Sequence, residues 1–191
     1  MNEIVLKNGR RIGEGSPCYI MMDIAANHNG DLDTARELIR KAAEAGADAV
    51  KFQTYRAEEL YSKKTPQFSR DAMKPYDLIK KVQHPREWIP QLFEYAKDCG
   101  IDFLSSPFDF DAVDLLDNAG VGLFKVASLE IVDLRLIKHI AAKGKPVILS
   151  TGMASLEEIE EAVEAAKSTG NGNIALLHCS TCYPSPAHIV N

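Results

Sequence analysis

The feature that most constrains this sequence is an alternation of short apolar segments with longer amphipathic ones. From Cys18 onward, six apolar segments of strand length alternate with segments whose hydrophobic residues recur at helical spacing. The apolar segments are hydrophobic almost throughout, which is typical of strands that are buried on both faces of a parallel sheet. The pattern therefore predicts an α/β protein built from strand–helix repeats.

The predicted elements follow one another in a regular order. A hairpin surrounds the turn signal Lys7–Arg10. The predicted strands are 18–24, 47–55, 101–107, 123–130, 146–150 and 174–179, and the predicted helices are 31–45, 86–99, 110–119, 134–142 and 155–167. Ser155 and Glu158 form a capping box at the start of the last helix. The long polar segment Arg56–Pro85 interrupts the alternation, and we expect it to act as a partly disordered lid.

Two architectures fit this order, a doubly wound sheet and a barrel. No Gly-x-Gly-x-x-Gly motif follows the first strand, and polar residues mark the C-terminal ends of all the strands rather than one switch point. We therefore expect a TIM (β/α)8-type barrel, truncated after about six of its strands. The expected domains are an N-terminal β-hairpin cap, residues 1–16, and a partial barrel, residues 17–191.

Length, charge and cysteine use restrict the function classes. The chain has 191 residues, enough for one sizeable core, and its net charge of -5 without a basic stripe argues against nucleic-acid binding. We find neither an apolar run long enough for a membrane span nor a signal peptide. Cys179 and Cys182 form a C-x-x-C pair, but no second Cys/His pair accompanies them, so free thiols in a reducing cytoplasm are a better interpretation than a zinc site.

A cation stands inside one of the apolar strands. Residues 123–130 read Leu-Phe-Lys-Val-Ala-Ser-Leu-Glu, which predicts a buried strand that ends in a hydroxyl and a carboxylate. Alternation places Lys125 and Ser128 on opposite faces, so they converge only if the chain bends at the strand end. Because an unpaired ammonium is costly to bury, Lys125 either binds an anion such as phosphate or is a solvated lysine on an edge strand.

Nearly every other predicted strand also ends in polar residues. In a parallel barrel these ends lie on one rim. The polar side chains at the strand ends include Asp23, Lys51, Gln53, Ser105, Ser106, Lys125, Ser128, Glu130, Ser150, Thr151 and His178. Two lysines, several hydroxyls, an amide, a histidine and two carboxylates suit a phosphate or carboxylate ligand with acid/base groups beside it.

Some of these signals also have a purely structural interpretation. Asn27–Gly30 is equally well a turn with a helix cap, and His178 is equally well a hydrogen-bonded core histidine. The functional interpretation depends on the repetition of polar residues at equivalent strand ends, because unrelated structural roles would scatter them.

Six short motifs, in this order, resemble the sialic acid synthases. They are Asn27-His28-Asn29-Gly30, Val50–Thr54, Ser106-Pro107-Phe108, Lys125–Ser128 with Glu130, Leu149–Met153, and His178-Cys179 with Tyr183-Pro184. That family includes the N-acetylneuraminate, legionaminate and pseudaminate synthases and the related spore-coat polysaccharide enzymes. Each motif is weak by itself, but the ordered set is specific and covers nearly the whole chain.

The resemblance implies a TIM barrel that condenses phosphoenolpyruvate with an N-acylated aldose such as N-acetylmannosamine. The products are a nine-carbon 2-keto sugar acid and phosphate, and a divalent metal, Mn²⁺ or Mg²⁺, polarises the aldehyde. The implied enzyme is a cytoplasmic transferase of carbohydrate biosynthesis, for instance for a cell-surface polysaccharide, and is a homodimer at full length.

By position, the resemblance also assigns roles to individual residues. Glu130, Asp23 and Lys125 are the implied catalytic residues, with Glu130 handling a proton or the attacking water. The implied substrate-binding residues are Lys51, Gln53, Ser106, Phe108, Lys125, Ser128, Ser150, Thr181 and Tyr183. Two ammonium groups and several hydroxyls would neutralise the phosphate and the carboxylate of phosphoenolpyruvate.

The sequence departs from the family at two positions and in length. Asp23 stands where the family commonly has Glu, and Thr181 stands where the sialate-making members commonly have Asn, so the acceptor sugar stays open. The family continues through two more strands, which carry the two metal-binding histidines, and a small antifreeze-like domain. Neither His28 nor His178 matches a metal position, so we assign no metal ligand here and expect these residues alone to be inactive.

Two other functions fit the same residues. A lysine aldolase on the same barrel would use Lys125 or Lys51 as a Schiff-base nucleophile. A non-catalytic fragment would instead bind a ligand or a partner chain through its open strand edges.

Overall fold

The computed structural model describes residues 3–68 and 72–189. They form two compact units, one of residues 15–122 and one made of the described parts of 1–14 and 123–191. Each unit contains three parallel strands, so the α/β class is confirmed. A closed barrel and the division into residues 1–16 and 17–191 stay predictions.

Strands and helices alternate as the sequence predicts. The strands are β1 (Ile4–Val5), β2 (Arg11–Ile12), β3 (Met21–Ala25), β4 (Ala49–Thr54), β5 (Asp102–Pro107), β6 (Phe124–Val126), β7 (Val147–Ser150) and β8 (Ile174–Leu177). The α-helices are α1 (Leu32–Glu44), α2 (Ala57–Leu60), α3 (Pro75–Val82), α4 (Trp88–Asp98), α5 (Phe110–Ala119), α6 (Leu134–Ala141) and α7 (Leu156–Lys167). Short 3₁₀ helices follow β6 at Ser128–Val132 and end the described chain at Ala187–Ile189.

The sheet of residues 15–122 has the order β3–β4–β5, with β4 in the centre. Asp23 pairs in register with Lys51, and Gln53 pairs with Ser106. Paired residues and those two apart along a strand share a face, so these four polar side chains lie on one face of the sheet. Phe52 lies on the other face, which packs against the helices.

The other unit has the sheet order β6–β7–β8 and a small antiparallel hairpin of β1 and β2. Strand β7 is buried along its whole length. Lys125 pairs with Ile148, two residues before Ser150, which places Lys125 and Ser150 on the same face of this sheet. The hairpin turns at Gly9, whose φ of +84° is a conformation that glycine adopts without strain.

Two predicted strands differ most from the observed ones, because local hydrogen bonds compete with the ladder. The predicted strand 123–130 ends at Val126, since the next residues turn into a 3₁₀ helix in which the Glu130 amide donates to the Ala127 carbonyl at 3.2 Å. The predicted strand 18–24 begins only at Met21, since the Asp48 carboxylate accepts the amide hydrogen of Ile20 at 2.8 Å. After β6 the chain therefore bends before Ser128, which is the bend that the Lys125 and Ser128 side chains would need in order to reach one ligand.

The polar segment Arg56–Pro85 contains the short helices α2 and α3 in its described part. Its two ends are linked, because the Ala57 amide donates to the Gln83 side chain at 2.8 Å. Glu58 accepts from Lys80 at 2.7 Å and from the Tyr76 hydroxyl at 3.2 Å. The lid stays a prediction, and part of it, residues 69–71, lies outside the described residues.

Within residues 3–68 and 72–189, no helix has both the length and the apolar character that crossing a membrane requires.

Candidate active site

Lys51 and Asp23 form an ion pair on the polar face of the β3–β4–β5 sheet. The Lys51 ammonium lies 3.1 Å from a carboxylate oxygen of Asp23. The Lys51 side chain is only 5% exposed, whereas that of Asp23 is 58% exposed. A cation is therefore held under the surface by a carboxylate that solvent or an anionic ligand can reach.

Gln53, Ser106 and Phe108 continue this face toward the C-terminal ends of β4 and β5. Gln53 is half-buried, and the Ser106 hydroxyl is fully buried without a hydrogen-bond partner in the described chain. Phe108 follows β5 and contacts the Tyr55 ring edge-to-face, with 5.5 Å between ring centroids. An unpartnered buried hydroxyl on the same sheet face as a buried ammonium is a ready donor for a bound anion.

In the other unit, Lys125 lies close enough to Glu130 for its positive charge to affect the pKa of that carboxyl group. Both are half-buried, and one carboxylate oxygen of Glu130 is buried without a hydrogen-bond partner in the described chain. Burial raises the pKa of Glu130 above its ordinary value; the Glu130 amide and Lys125 counteract this in part, while Asp133 adds to it. Glu130 therefore keeps its proton to a higher pH than an ordinary glutamate does, and a raised pKa is common among catalytic carboxyl groups.

Ser128, Ser150 and Gly152 lie together at the C-terminal ends of β6 and β7. A Cβ atom added to Gly152 would lie 2.9 Å from the Ser128 hydroxyl and 3.1 Å from the Cβ atom of Cys179. Such short approaches mean that only glycine fits here. The strand ends therefore bring two predicted substrate hydroxyls and Cys179, two residues after β8, into one cluster.

Thr181 and Tyr183 are the predicted substrate residues farthest along the chain. Both are exposed, Tyr183 by 97%. The Thr181 hydroxyl donates to the Ser180 carbonyl at 2.9 Å, and the Thr181 methyl group approaches Gly152. Thr181 thus lies beside the Ser128–Ser150 cluster, whereas the Tyr183 ring has hardly any protein around it.

The two histidines that the sequence singles out differ in their surroundings. His28 is 1% exposed and accepts the Gly30 amide hydrogen on Nδ1 at 3.0 Å. Its ring packs against Phe52, His84 and Trp88 with centroid distances of 6.2, 5.7 and 5.6 Å. Burial, with a smaller effect of His84, lowers the pKa of His28 to about 4. His28 is therefore a neutral core histidine, while His178 is exposed and does not have the core role considered for it.

Sequence reasoning overlooked three groups. Arg86 donates to Asp109 at 2.5 Å, and both side chains are 13% exposed. His84 is buried and stacks on Trp88 with the rings 6.0 Å apart. The sequence predicts that Cys179 is an ordinary free thiol, yet it lies against the Ser128–Ser150 cluster. Arg86 and Asp109 are far apart in sequence, as are Cys179 and Ser150, so no local pattern could have revealed these two contacts. The four-residue spacing of His84 and Trp88 is the one local signal among the three.

The described residues do not supply a metal centre. Residues 3–68 and 72–189 contain no group of three or more His, Cys, Asp or Glu side chains arranged to hold a metal ion. The site's donors are lysines and hydroxyls, which suit an anion rather than a cation.

The sequence profile of the NeuB family matches residues 38–191. The chain is 43% identical over 180 residues to the N,N'-diacetyllegionaminic acid synthase of Campylobacter jejuni, an alignment that covers 90% of this chain and 54% of that protein. It is 34% identical over 194 residues to the human N-acetylneuraminate-9-phosphate synthase, covering 99% of this chain and 54% of the human protein.

Solved structures agree with these sequence matches. The N-acetylneuraminic acid (sialic acid) synthetase of Leptospira borgpetersenii serovar Hardjo-bovis, in complex with citrate, superposes with a TM-score of 0.89 at 34% identity. The superposition covers 100% of this chain and 63% of that one. The chain spans about half the length of the curated relatives that it matches.

Proposed function

The chain belongs to the NeuB family, as its motifs indicated, and we propose that it carries phosphoenolpyruvate-binding and proton-handling residues of a sugar acid synthase. The reaction would join phosphoenolpyruvate to an N-acylated amino sugar in its open-chain form, giving a nine-carbon 2-keto acid and phosphate. The relatives named as legionaminic, pseudaminic and neuraminic acid synthases support this class of product. We propose the cytoplasm as its location and a homodimer as its full-length form.

The observation that carries the proposal is that the buried ammonium of Lys51 and the unpartnered hydroxyl of Ser106 lie on the same face of the β3–β4–β5 sheet. The net charge of the chain is -5, so an anionic substrate must be attracted by local cations against the overall field. Lys51 supplies such a cation where water is largely excluded, and a charge-assisted bond to phosphate is worth roughly 1.5–3 kcal/mol. Asp23, the exposed partner, would be displaced from Lys51 or share it when phosphoenolpyruvate binds.

The second set, Lys125, Ser128, Glu130 and Ser150, suits the reacting end of the substrate. When the enol carbon attacks the aldehyde carbon, a C–C bond forms and the aldehyde oxygen takes the C=O electron pair and a proton, becoming a hydroxyl. A cation is left at the carbon adjacent to the attacking one, and water then adds to that carbon. Glu130, whose pKa is raised by burial, would take the proton from this water, and Lys125 would stabilise the carboxylate of the intermediate. Collapse of the intermediate then breaks the C–O bond and releases phosphate.

Gln53, Phe108, Thr181 and Tyr183 would contact the substrates around these two sets. Thr181 would be the residue that touches the acceptor sugar, and its identity leaves the particular sugar open. The family implies a Mn²⁺- or Mg²⁺-dependent synthase, but the described residues do not fit a metal ion, so no step is assigned to one.

Binding measurements on two single variants test the proposal. Lys51→Met and Lys125→Met keep the apolar stems and remove the charges. Each should weaken phosphoenolpyruvate binding about tenfold or more, since a factor of ten corresponds to 1.4 kcal/mol. An unchanged dissociation constant in calorimetry would contradict the assignment, and Lys63→Met, an exposed lysine that lies over the Tyr76 ring, serves as the control.

The lysine aldolase is separated by chemical trapping. A Schiff base requires an amine that is free to attack the substrate carbonyl, whereas the Lys51 ammonium lies 3.1 Å from the Asp23 carboxylate. We therefore expect no covalent adduct after borohydride treatment with pyruvate. We also propose that turnover requires more than these 191 residues, because the relatives are about twice as long. Phosphate release by the isolated chain at the rate of a longer form would contradict this.

A further inference from the structure

The segment after β8 carries two cysteines that the proposed synthesis does not use. Cys179 is half-buried, Cys182 is exposed, and both are free thiols. They are separated by Ser180 and Thr181, in a stretch without regular secondary structure. C-x-x-C is the spacing of many dithiol pairs that interconvert with a disulfide.

The surroundings of Cys179 are unusual for a structural thiol. The hydroxyls of Ser150 and Ser128 and the main-chain amides of Thr151 and Gly152 lie around Cys179. The Ser128 hydroxyl and the Cys179 Cβ atom lie 2.9 and 3.1 Å from the position that a Cβ atom on Gly152 would take. The Thr151 amide is shared with the Leu177 carbonyl, to which it donates at 3.1 Å. Because Gly152 has no room for a side chain between Ser128 and Cys179, these donors are held in place by close packing.

These contacts favour the thiolate over the thiol. Burial by itself raises the pKa of Cys179, but the donors of Ser150, Thr151, Ser128 and Gly152 outweigh it, and the pKa of Cys179 lies below its ordinary value. The protonated thiol has a weak alternative, a bond to the Leu177 carbonyl at 3.5 Å. Loss of the proton exchanges that bond for several donors, and the thiolate is the reactive form of cysteine.

We propose that Cys179 is a site of reversible oxidation by hydroperoxides, with Cys182 as the resolving thiol. The Cys179 thiolate attacks one peroxide oxygen; an S–O bond forms, the O–O bond breaks, and the departing oxygen takes up a proton and leaves as an alcohol or water. The Cys182 thiolate then attacks the sulfenic acid sulfur, an S–S bond forms, and the hydroxyl leaves as water. In sum, two thiols and one hydroperoxide give a disulfide, an alcohol or water, and one further water.

Oxidation at this point would affect ligand binding. Ser128 and Ser150 are hydroxyls that the proposed function assigns to phosphoenolpyruvate, and the oxidised sulfur would displace or occupy them. Oxidation and substrate should therefore exclude one another. This consequence rests on the proposed function, whereas the oxidation itself depends only on the contacts of Cys179.

The test is a timed reaction of the folded chain with hydrogen peroxide, quenched by alkylation and resolved by peptide mass spectrometry. Cys179 and Cys182 should be lost together, with a mass decrease of about 2 Da that a dithiol reverses. Their loss should be several-fold faster than that of Cys18, an exposed thiol in the same molecule. In Cys182→Ser, Cys179 should instead accumulate as a sulfenic acid that dimedone labels, and in Cys179→Ser, Cys182 should react no faster than Cys18.

Two results would overturn the inference. One is a Cys179 that oxidises no faster than Cys18, with circular dichroism showing the chain to be folded. The other is a fast loss of Cys182 that persists in Cys179→Ser. A parallel reaction with saturating phosphoenolpyruvate keeps the two proposals apart: if Cys179 oxidises rapidly and phosphoenolpyruvate gives no protection, the substrate assignment of Ser128 and Ser150 is wrong while the redox inference stands.

Discussion

The two units differ in what surrounds their partly buried charged side chains. In residues 15–122 the cations of Lys51 and Arg86 each face a carboxylate, that of Asp23 or Asp109, at 3.1 and 2.5 Å. In the other unit the half-buried carboxylate of Glu130 keeps one oxygen without a partner in the described chain. The first arrangement pairs each cation with a carboxylate, and the second raises the pKa of a carboxyl group.

The difference separates two tasks that a condensing enzyme must perform. A lasting positive charge suits the binding of phosphate, since its attraction does not depend on the proton concentration near neutrality. A carboxyl group with a raised pKa suits proton transfer, because it gains and loses its proton more readily under working conditions. The comparison predicts that removing a partner in residues 15–122 costs stability, whereas neutralising Glu130 improves it.

The largest expected effect comes from breaking the Arg86–Asp109 pair. Arg86→Met would leave the Asp109 carboxylate 13% exposed without its cation, although Asp109 would still accept the Ala112 amide at the start of α5. Breaking such an enclosed pair costs about 3 kcal/mol in the free energy of unfolding. Urea denaturation followed by the fluorescence of Trp88, the only tryptophan of the chain, measures the loss.

Arg40→Met is the matched control for this variant. Arg40 also forms ion pairs, with Glu37 and Glu44, but it lies in the open on α1. Exposed pairs contribute little, so this variant should unfold almost as the unchanged chain does. Equal losses in the two variants would mean that enclosure of the charges is not what distinguishes residues 15–122. Adding Asp109→Asn to Arg86→Met should recover part of the loss, because it removes the stranded charge.

The next effect is acid sensitivity confined to residues 15–122. The pKa of His28 lies at about 4, and burial also lowers the pKa of His84. In the unfolded chain histidine has a pKa of about 6.5, so below that pH the unfolded chain binds protons that the folded unit does not bind. Stability should therefore fall as the pH drops from about 6.5 toward about 4, by up to about 1.4 kcal/mol per pH unit for each such histidine.

Trp88 makes this prediction measurable, because it contacts both histidines. Its fluorescence should change at a higher pH than amide exchange in α7 of the other unit. In His28→Asn, which keeps an acceptor for the Gly30 amide but does not titrate, the pH dependence of the urea midpoint should become shallower. An unchanged dependence in this variant would show that protons act elsewhere.

Local signals were sufficient to predict most elements of both units. Asp31 accepts from the Thr34 amide as an N-cap, Ser155 and Glu158 form the capping box, and α5 spans the predicted residues Phe110–Ala119. These features depend on residues within one turn of each other, so their pattern is visible in the sequence. The predicted strand 123–130 extends past its observed end at Val126, because the residues that follow make 3₁₀ hydrogen bonds instead of continuing the ladder.

For the site, the sequence predicted the polar strand ends but not their pairing. Lys51 lies beside Asp23 because the register between β3 and β4 places these two residues opposite each other. That register cannot be read from the sequence of either strand alone. The surroundings of His28 combine residues 52, 84 and 88, and those of Cys179 combine residues 128, 150 and 152. Such surroundings exist only after folding, so the same residue types appeared ordinary in the sequence.

The smallest expected effect has the opposite sign and concerns Glu130. Because the pKa of Glu130 is raised in the folded state, the stability that its proton provides is present at low pH and is lost as the pH rises through the folded pKa. Glu130→Gln keeps the shape and removes the ionisation, so it should stabilise the chain at neutral pH by up to about 1 kcal/mol, the scale of one unmet buried polar group. Urea denaturation at pH 7 and pH 5 should show the gain shrinking in acid.

Glu157→Gln provides the contrast in the same unit. The Glu157 amide and Ser155 lower the pKa of that exposed carboxylate, so its removal should not stabilise the chain. A loss of stability in Glu130→Gln would mean that the unpartnered carboxylate oxygen accepts a hydrogen bond in solution. The argument that burial raises the pKa of Glu130 would then fail.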